Sequence, residues 1–198
     1  WAPPLSLGTG LYEGNALVLS NYVQEKWYVM AWNKLVSRPF VLQHQLYFQE
    51  GIVHEDDLWS FKLACMAQSM YVVDETTYYY SMQPDSIMRA PSMRNLECRV
   101  LVLGYIYDFI RSSRSVQANR QIYIFFENLK AKYFDRILYF TKDKSFYYQS
   151  YLVFRSKKYA SLFKMVGLRP VWKLMLQNIH YALPTYAGYL YFKAFVKS

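Results

Sequence analysis

Ile122-Tyr123-Ile124-Phe125-Phe126-Glu127-Asn128-Leu129-Lys130-Ala131-Lys132-Tyr133-Phe134-Asp135-Arg136-Ile137-Leu138-Tyr139-Phe140 sets Ile122, Phe126, Leu129, Tyr133, Ile137 and Phe140 apart by 4, 3, 4, 4 and 3 residues. That rhythm follows the helical period, so the segment predicts a long amphipathic helix whose apolar stripe faces a partner. The same period holds on either side. Asn95 to Arg111 and Tyr147 to Val166 predict further helices, and Gly167-Leu168-Arg169-Pro170 predicts a stop. The chain from residue 91 to 198 therefore reads as a helical subdomain.

The first half reads differently. Gly8-Thr9-Gly10 ends an irregular, proline-containing start, and Asn15 to Met30 predicts a helix with Leu17, Leu19, Tyr22 and Val23 as its apolar positions and Glu25 and Lys26 as its charges. Ala31 to Val36 predicts a short half-buried strand, stopped by Ser37-Arg38-Pro39 because proline lacks an N–H and restricts its predecessor. A turn or short helix leads to Leu46-Tyr47-Phe48, and Gly51 breaks that run. His54-Glu55-Asp56-Asp57 then opens a helix through about Ser69, its carboxylates complementing the positive end of the helix dipole. Met70 to Asp74 and Thr76 to Met82 are rich in β-branched and aromatic residues and predict strands, and Gln83-Pro84-Asp85-Ser86 predicts a turn. The fold class expected is α+β, mainly helical, with a mixed part over 1–90 and a basic helical part over 91–198.

Composition narrows the function classes. With 198 residues, 54% apolar and rich in Tyr (21) and Phe (13), the chain can build a core without a metal or disulfide staple, and disordered and collagen-like readings are excluded. Cys65 and Cys98 lie outside any C-x-x-C pattern and read as reduced core thiols. The net charge of +9 is unevenly spread. Residues 1–98 carry 6 Lys or Arg against 10 Asp or Glu, whereas residues 99–198 carry 17 against 4. The charge-free stretch from Leu174 to Phe192 is long enough to cross a bilayer. Gln177, Asn178, His180, Pro184 and Thr185 make it read instead as interfacial or buried helices.

The densest titratable cluster is His54-Glu55-Asp56-Asp57. On a helix only His54 and Asp57 share a face, and no H-E-x-x-H or EF-hand spacing surrounds them, so a metal cluster is not expected here. Two readings stay open. A carboxylate held at a helix start beside an apolar wall suits a general base, since partial burial raises its proton affinity. The same residues suit an N-capping cluster that stabilises the helix and does nothing else.

Ala31-Trp32-Asn33-Lys34-Leu35, Phe48-Gln49-Glu50-Gly51, His54-Glu55-Asp56, Tyr78-Tyr79-Tyr80 and Ser86-Ile87-Met88-Arg89 occur in this order over 59 residues. Together they resemble the acceptor-side half of bacterial family-two glycosyltransferases of the GT-A fold, with a W-x-K-L segment, an F-x-E-G turn, an E-D motif at a helix start and a tyrosine-rich strand before a serine turn. The resemblance implies inverting transfer of a sugar from a nucleotide-diphosphate donor to a hydroxyl of a glycan or lipid-linked acceptor. It implies Asp56 as general base and Glu55 as the residue that orients it or helps shape the acceptor site. Trp32 and Lys34 would meet the sugar and a phosphate or the acceptor, with His54 and Arg89 also on the substrate side. For Trp32 and Lys34 a core indole and a solvated ammonium remain equally open. A cytoplasmic location is expected, with a peripheral place on the inner membrane face as the option that the basic second half opens.

Two departures bear on this. The family's donor-side Asp-x-Asp, which holds Mg or Mn, is missing, since Asp85 and Asp108 stand alone. Ser81 stands where these enzymes often carry a basic residue. With no starting Met and no signal-like opening at Trp1-Ala2-Pro3-Pro4, the chain reads as the C-terminal portion of a longer enzyme, binding no metal and inactive when isolated. In the basic half, Arg155, Lys157, Lys158, Lys164, Arg169, Lys173, Lys193 and Lys197 surround apolar positions. They suit either an anionic membrane surface or a helical subdomain packed against the first half. Nucleic acid is not expected as a partner, because no nucleic-acid motif is present. A non-catalytic interaction module is the alternative to the transferase.

Overall fold

In a computed structural model of the chain, residues 7–76, 78, 79, 81, 92–158 and 172–197 are described. Among the described residues the chain is mainly helical, with one small two-stranded sheet. It divides into two units, Trp1–Arg89 and Ala90–Ser198.

In the first unit, β1 (Gly10–Glu13) pairs antiparallel with β2 (Ser69–Val72), Leu11 opposite Tyr71. The sequence reading ends the irregular start at Gly10 and assigns no element to 11–13; four residues pair there because β2 supplies the ladder. Helix α1 spans Asn15–Val23, shorter than the expected run to Met30. It ends early because the chain turns at Glu25, whose φ of 55° leaves helical space. Ala31–Asn33 is a 3-10 turn and the residues after it are unpaired, so the expected strand over 31–36 is corrected. With no neighbouring strand to accept its hydrogen bonds, a β-prone hexapeptide has no ladder to join. Pro39 stands in the first turn of α2 (Arg38–Gln43), where its missing N–H leaves nothing unsatisfied.

Helix α3 (Glu55–Met66) stops three residues before the expected Ser69. The Asn15 side chain donates to the carbonyls of Ala64, Cys65 and Ala67 at 3.1, 3.2 and 2.9 Å, closing the end of the helix. The unit's core gathers Val18, Leu46, Trp59, Leu63 and Ala67. Thr76, Tyr78, Tyr79 and Ser81 are irregular, not strand; the rest of that expected strand, the turn at 83–86 and the stop at 167–170 lie outside the described residues.

The second unit holds α4 (Met93–Ser112), α5 (Arg114–Ala118), α6 (Arg120–Phe140), α7 (Lys144–Ser156), α8 (Trp172–Asn178) and α9 (Thr185–Lys197). Asn119 Oδ1 caps α6 by accepting from Gln121 and Ile122, and Asp143 Oδ1 caps α7 by accepting from Ser145 and Phe146 at 2.8 and 3.0 Å. The expected stripe on α6 is buried at Ile122, Phe126, Tyr133 and Ile137 and half-buried at Leu129 and Phe140. Tyr123, Glu127, Lys130 and Phe134 are buried too, so α6 is enclosed on a face much wider than one stripe. Helix α7 ends at Ser156, and the part of the expected helix from 159 to Val166 lies outside the described residues. Cys98 is buried, and burial pushes the Cys65 thiol up to about 12; both are free.

The enclosed charges are satisfied as a set. Lys130 Nζ donates to Glu127 Oε1 at 2.9 Å, to the Lys157 carbonyl at 2.7 Å and to Tyr181 Oη at 2.6 Å. The Tyr181 hydroxyl donates to Glu127 Oε2, and Gln177 donates to the Glu127 carbonyl. Arg155 donates to the carbonyls of His180, Tyr181 and Leu183 and to Tyr151 Oη. It is therefore removed from the basic surface that the sequence assigned it to. Gly188 lets α9 pass close: a Cβ there would meet the His180 carbonyl at 2.5 Å and Arg155 Nη1 at 2.6 Å.

Lys130→Ala, which leaves Glu127 buried without its counter-charge, is expected to lose about 3–5 kcal/mol in chemical denaturation. The pair Glu127→Gln/Lys130→Met recovers part of that loss. Gly188→Ala is expected to cost about 1–3 kcal/mol by overpacking, read as a lower melting temperature.

Candidate functional site

The first turn of α3 is delivered by two left-handed residues. Gly51 has φ of 77°, which glycine adopts freely, and His54 at the N-cap has φ of 69°, which for histidine is uncommon. Two bonds then hold α3 in place. Trp59 Nε1 donates to the Leu46 carbonyl at 3.1 Å, and Ser60 Oγ donates to the Val29 carbonyl at 2.5 Å. The second draws the segment through Val29 against the helix that carries the carboxylates.

Glu55, Asp56 and Asp57 all lie in this first turn, half-buried. The capping reading is corrected in detail: no side chain caps at His54, and Asp56 Oδ1 instead accepts the Asp57 N–H at 3.0 Å, inside the turn. Burial, followed by the charges of Asp57 and Glu55, raises the Asp56 carboxyl from its ordinary 3.8 to about 6, with backbone hydrogen bonds opposing. At neutral pH it is ionised yet holds a proton far more readily than an exposed aspartate. That is the property a general base requires.

Behind the cluster stands Tyr22, fully buried, whose hydroxyl is pushed well up by burial and then by the charges of Asp57, Cys65 and Asp56. Its ring meets Trp27 edge-on at 5.5 Å and Phe61 at 6.2 Å. This is the apolar wall. The sequence marked Tyr22 as one more apolar position of a helix, and nothing in the helical spacing relates it to residues 56 and 57.

Lys34 is half-buried, and its ammonium donates to the Tyr28 and Met30 carbonyls at 2.5 Å each and to Asn33 Oδ1 at 2.7 Å. It also lies 5.5 Å from the Trp27 ring centre. Burial lowers it to about 8, the Asp56 charge opposing. Its three N–H donors all have acceptors within residues 28–34, so it clamps that turn beside Asp56. Trp32 is exposed and stacks on Tyr78 at 4.3 Å and 23°, which brings the W-x-K-L segment and the tyrosine-rich segment together. Arg89 lies outside the described residues.

Among the described residues no three of His, Cys, Asp or Glu form a group that could hold a metal ion. The donor-side Asp-x-Asp to which the family resemblance assigns Mg or Mn does not occur in these 198 residues. His180, in the second unit, is driven down to about 3 by burial and then by the charges of Lys130, Arg155 and Lys158, so it stays neutral within its structural network. Compared with family models, with curated proteins and with solved structures, the chain matches none.

The folded state holds the Asp56 proton more tightly than the unfolded chain does. Its contribution to stability is thus present below about pH 4 and is lost as pH rises through about 6. Asp56→Asn is expected to melt higher than the parent at pH 7, the difference vanishing toward pH 4. Identical melting at pH 7 would contradict the buried-carboxylate account.

Proposed function

We propose that the first unit is the acceptor-side part of an inverting glycosyltransferase, with Asp56 as its general base. The observation that carries the reading is the half-buried Asp56 carboxyl at the start of α3, raised to about 6 and backed by Tyr22 and Trp27. The acceptor hydroxyl donates to the Asp56 carboxylate, and its proton passes to that oxygen as the hydroxyl oxygen attacks the anomeric carbon. The bond from that carbon to the donor's diphosphate breaks on the opposite face, and the nucleoside diphosphate leaves. Glu55 and Asp57 strengthen the base through their charge. The exposed Trp32–Tyr78 pair offers an aromatic face to a sugar ring. Lys34 holds the 28–34 turn that carries Trp32.

On this reading the donor diphosphate and its metal belong to an Asp-x-Asp-bearing nucleotide-binding half, a motif that these 198 residues do not contain. No step is routed through a metal here. A second reading, a non-catalytic interaction module, is favoured by the apolar side chains that the first unit exposes, among them Leu11 and Tyr71 on the sheet, Leu35 and Tyr79.

The two separate in the complete protein assayed against a panel of sugar nucleotides. Asp56→Asn is expected to lower kcat by about 10²–10⁴ with KM little changed, and the parent's activity is expected to fall on the acid side of about pH 6. Full activity in Asp56→Asn would sink the transferase reading and leave the module.

A further inference from the structure

From Lys144 to Ser198 the chain carries nine Lys or Arg and no Asp or Glu. Within this run lie the two terminal helices, α8 and α9. Trp172, Met175, Leu176 and Ile179, at i, i+3, i+4 and i+7, are all exposed, Trp172 by 69%, while Leu174 and Gln177 between them are buried. On α9, Tyr186 and Leu190 are exposed at i and i+4, Tyr186 by 63%, while Tyr189 and Phe192 point into the core. The Tyr191 hydroxyl donates to the Leu176 carbonyl at 2.7 Å, which links the two helices.

An ordinary surface helix turns its apolar side inward. These two bury one apolar side and leave a second apolar side open, in a part of the chain where every charged side chain is positive.

We propose that this face of α8 and α9 docks on the surface of an anionic phospholipid bilayer. Three observations select a bilayer over other occupants. The exposed residues are an indole, a phenol and long aliphatic chains, which suit the boundary between headgroups and acyl chains. Every charged side chain from Lys144 to Ser198 is positive, opposite in sign to an anionic leaflet. Among the described residues no helix is long and apolar enough to cross a membrane, so any contact of these helices with a bilayer is at its surface. A polynucleotide groove would instead set its cations among the exposed aromatics, and here that face is largely aliphatic. Arg155 is spent on the carbonyls of 180–183 and takes no part; Lys193, held over the Tyr147 and Tyr189 rings, lies three residues beyond Leu190.

This inference does not rest on the transferase reading, because vesicle binding requires no turnover and either can fail alone. The test is co-sedimentation of the 198-residue chain with phosphatidylglycerol vesicles and with phosphatidylcholine vesicles, at low and at physiological salt. Binding to the first and much weaker binding to the second is expected, falling with salt. Leu176→Glu/Leu190→Glu is expected to reduce partitioning roughly tenfold or more at an unchanged melting temperature. If the double variant melts lower, Trp172→Ser reads the same contact. No binding to phosphatidylglycerol vesicles at low salt overturns the proposal. So does undiminished binding by the variants, which would leave the cations alone responsible. A lipid-free dimer that the double variant dissociates also overturns it, since a second copy would then cover the face.

Discussion

Two opposite charges with almost no access to water lie in the middle of α6, and the second unit is arranged around their needs. Removing an ammonium and a carboxylate from water costs several kcal/mol each, and their mutual attraction offsets that only when the remaining donors and acceptors are also met. Lys130 has three N–H donors, and they find one carboxylate oxygen, one carbonyl and one phenol. The carbonyl belongs to Lys157, just past α7, and the phenol to Tyr181, between α8 and α9. The pair thereby fixes where three separate stretches of chain must arrive. Aromatic packing around Phe134, Tyr151 and Phe192 supplies bulk, whereas the polar set supplies position.

The first unit uses the same physics incompletely. Asp56 is half-buried among like charges, with only backbone N–H groups of its own turn and the nearby Lys34 charge opposing. The consequence is an unsettled carboxyl with high proton affinity instead of a neutralised structural pair. Natural proteins tolerate such local cost where chemistry uses it. The contrast between the two clusters separates a candidate site from a structural lock more sharply than residue type does.

What the sequence disclosed follows from what periodicity measures. The α6 stripe was legible because apolar spacing reports a helix whatever it packs on. The burial of Glu127 and Lys130 was not, because their enclosure depends on Gln177 and Tyr181, about fifty residues away. Residues 31–36 look like a strand by composition, but a strand needs a neighbour, and the ladder was available between 10–13 and 69–72 instead. At the site, the acidic turn and Gly51 were readable as local signals. Tyr22 was hidden in an ordinary helix pattern, and Lys34 gave no sign that its charge would be taken up by the carbonyls of its own turn. Arg155 was read as surface charge for the same reason: four acceptors spread over residues 151–183 cannot be seen from one basic run.

Asn15 joins the opening residue of α1 to the last turn of α3 across a separation of about fifty residues, beside the Gly14 amide bonded to the Gln68 carbonyl. Such a closure is entropically costly for the unfolded chain and gains nothing until both ends have arrived. It makes the end of α3 depend on a contact between residues far apart in sequence, of the kind that slows assembly. The carboxylates at the far end of α3 inherit that dependence. During synthesis, the turn bearing Asp56 acquires a fixed geometry only once the polypeptide through the second strand is free to pair with the first.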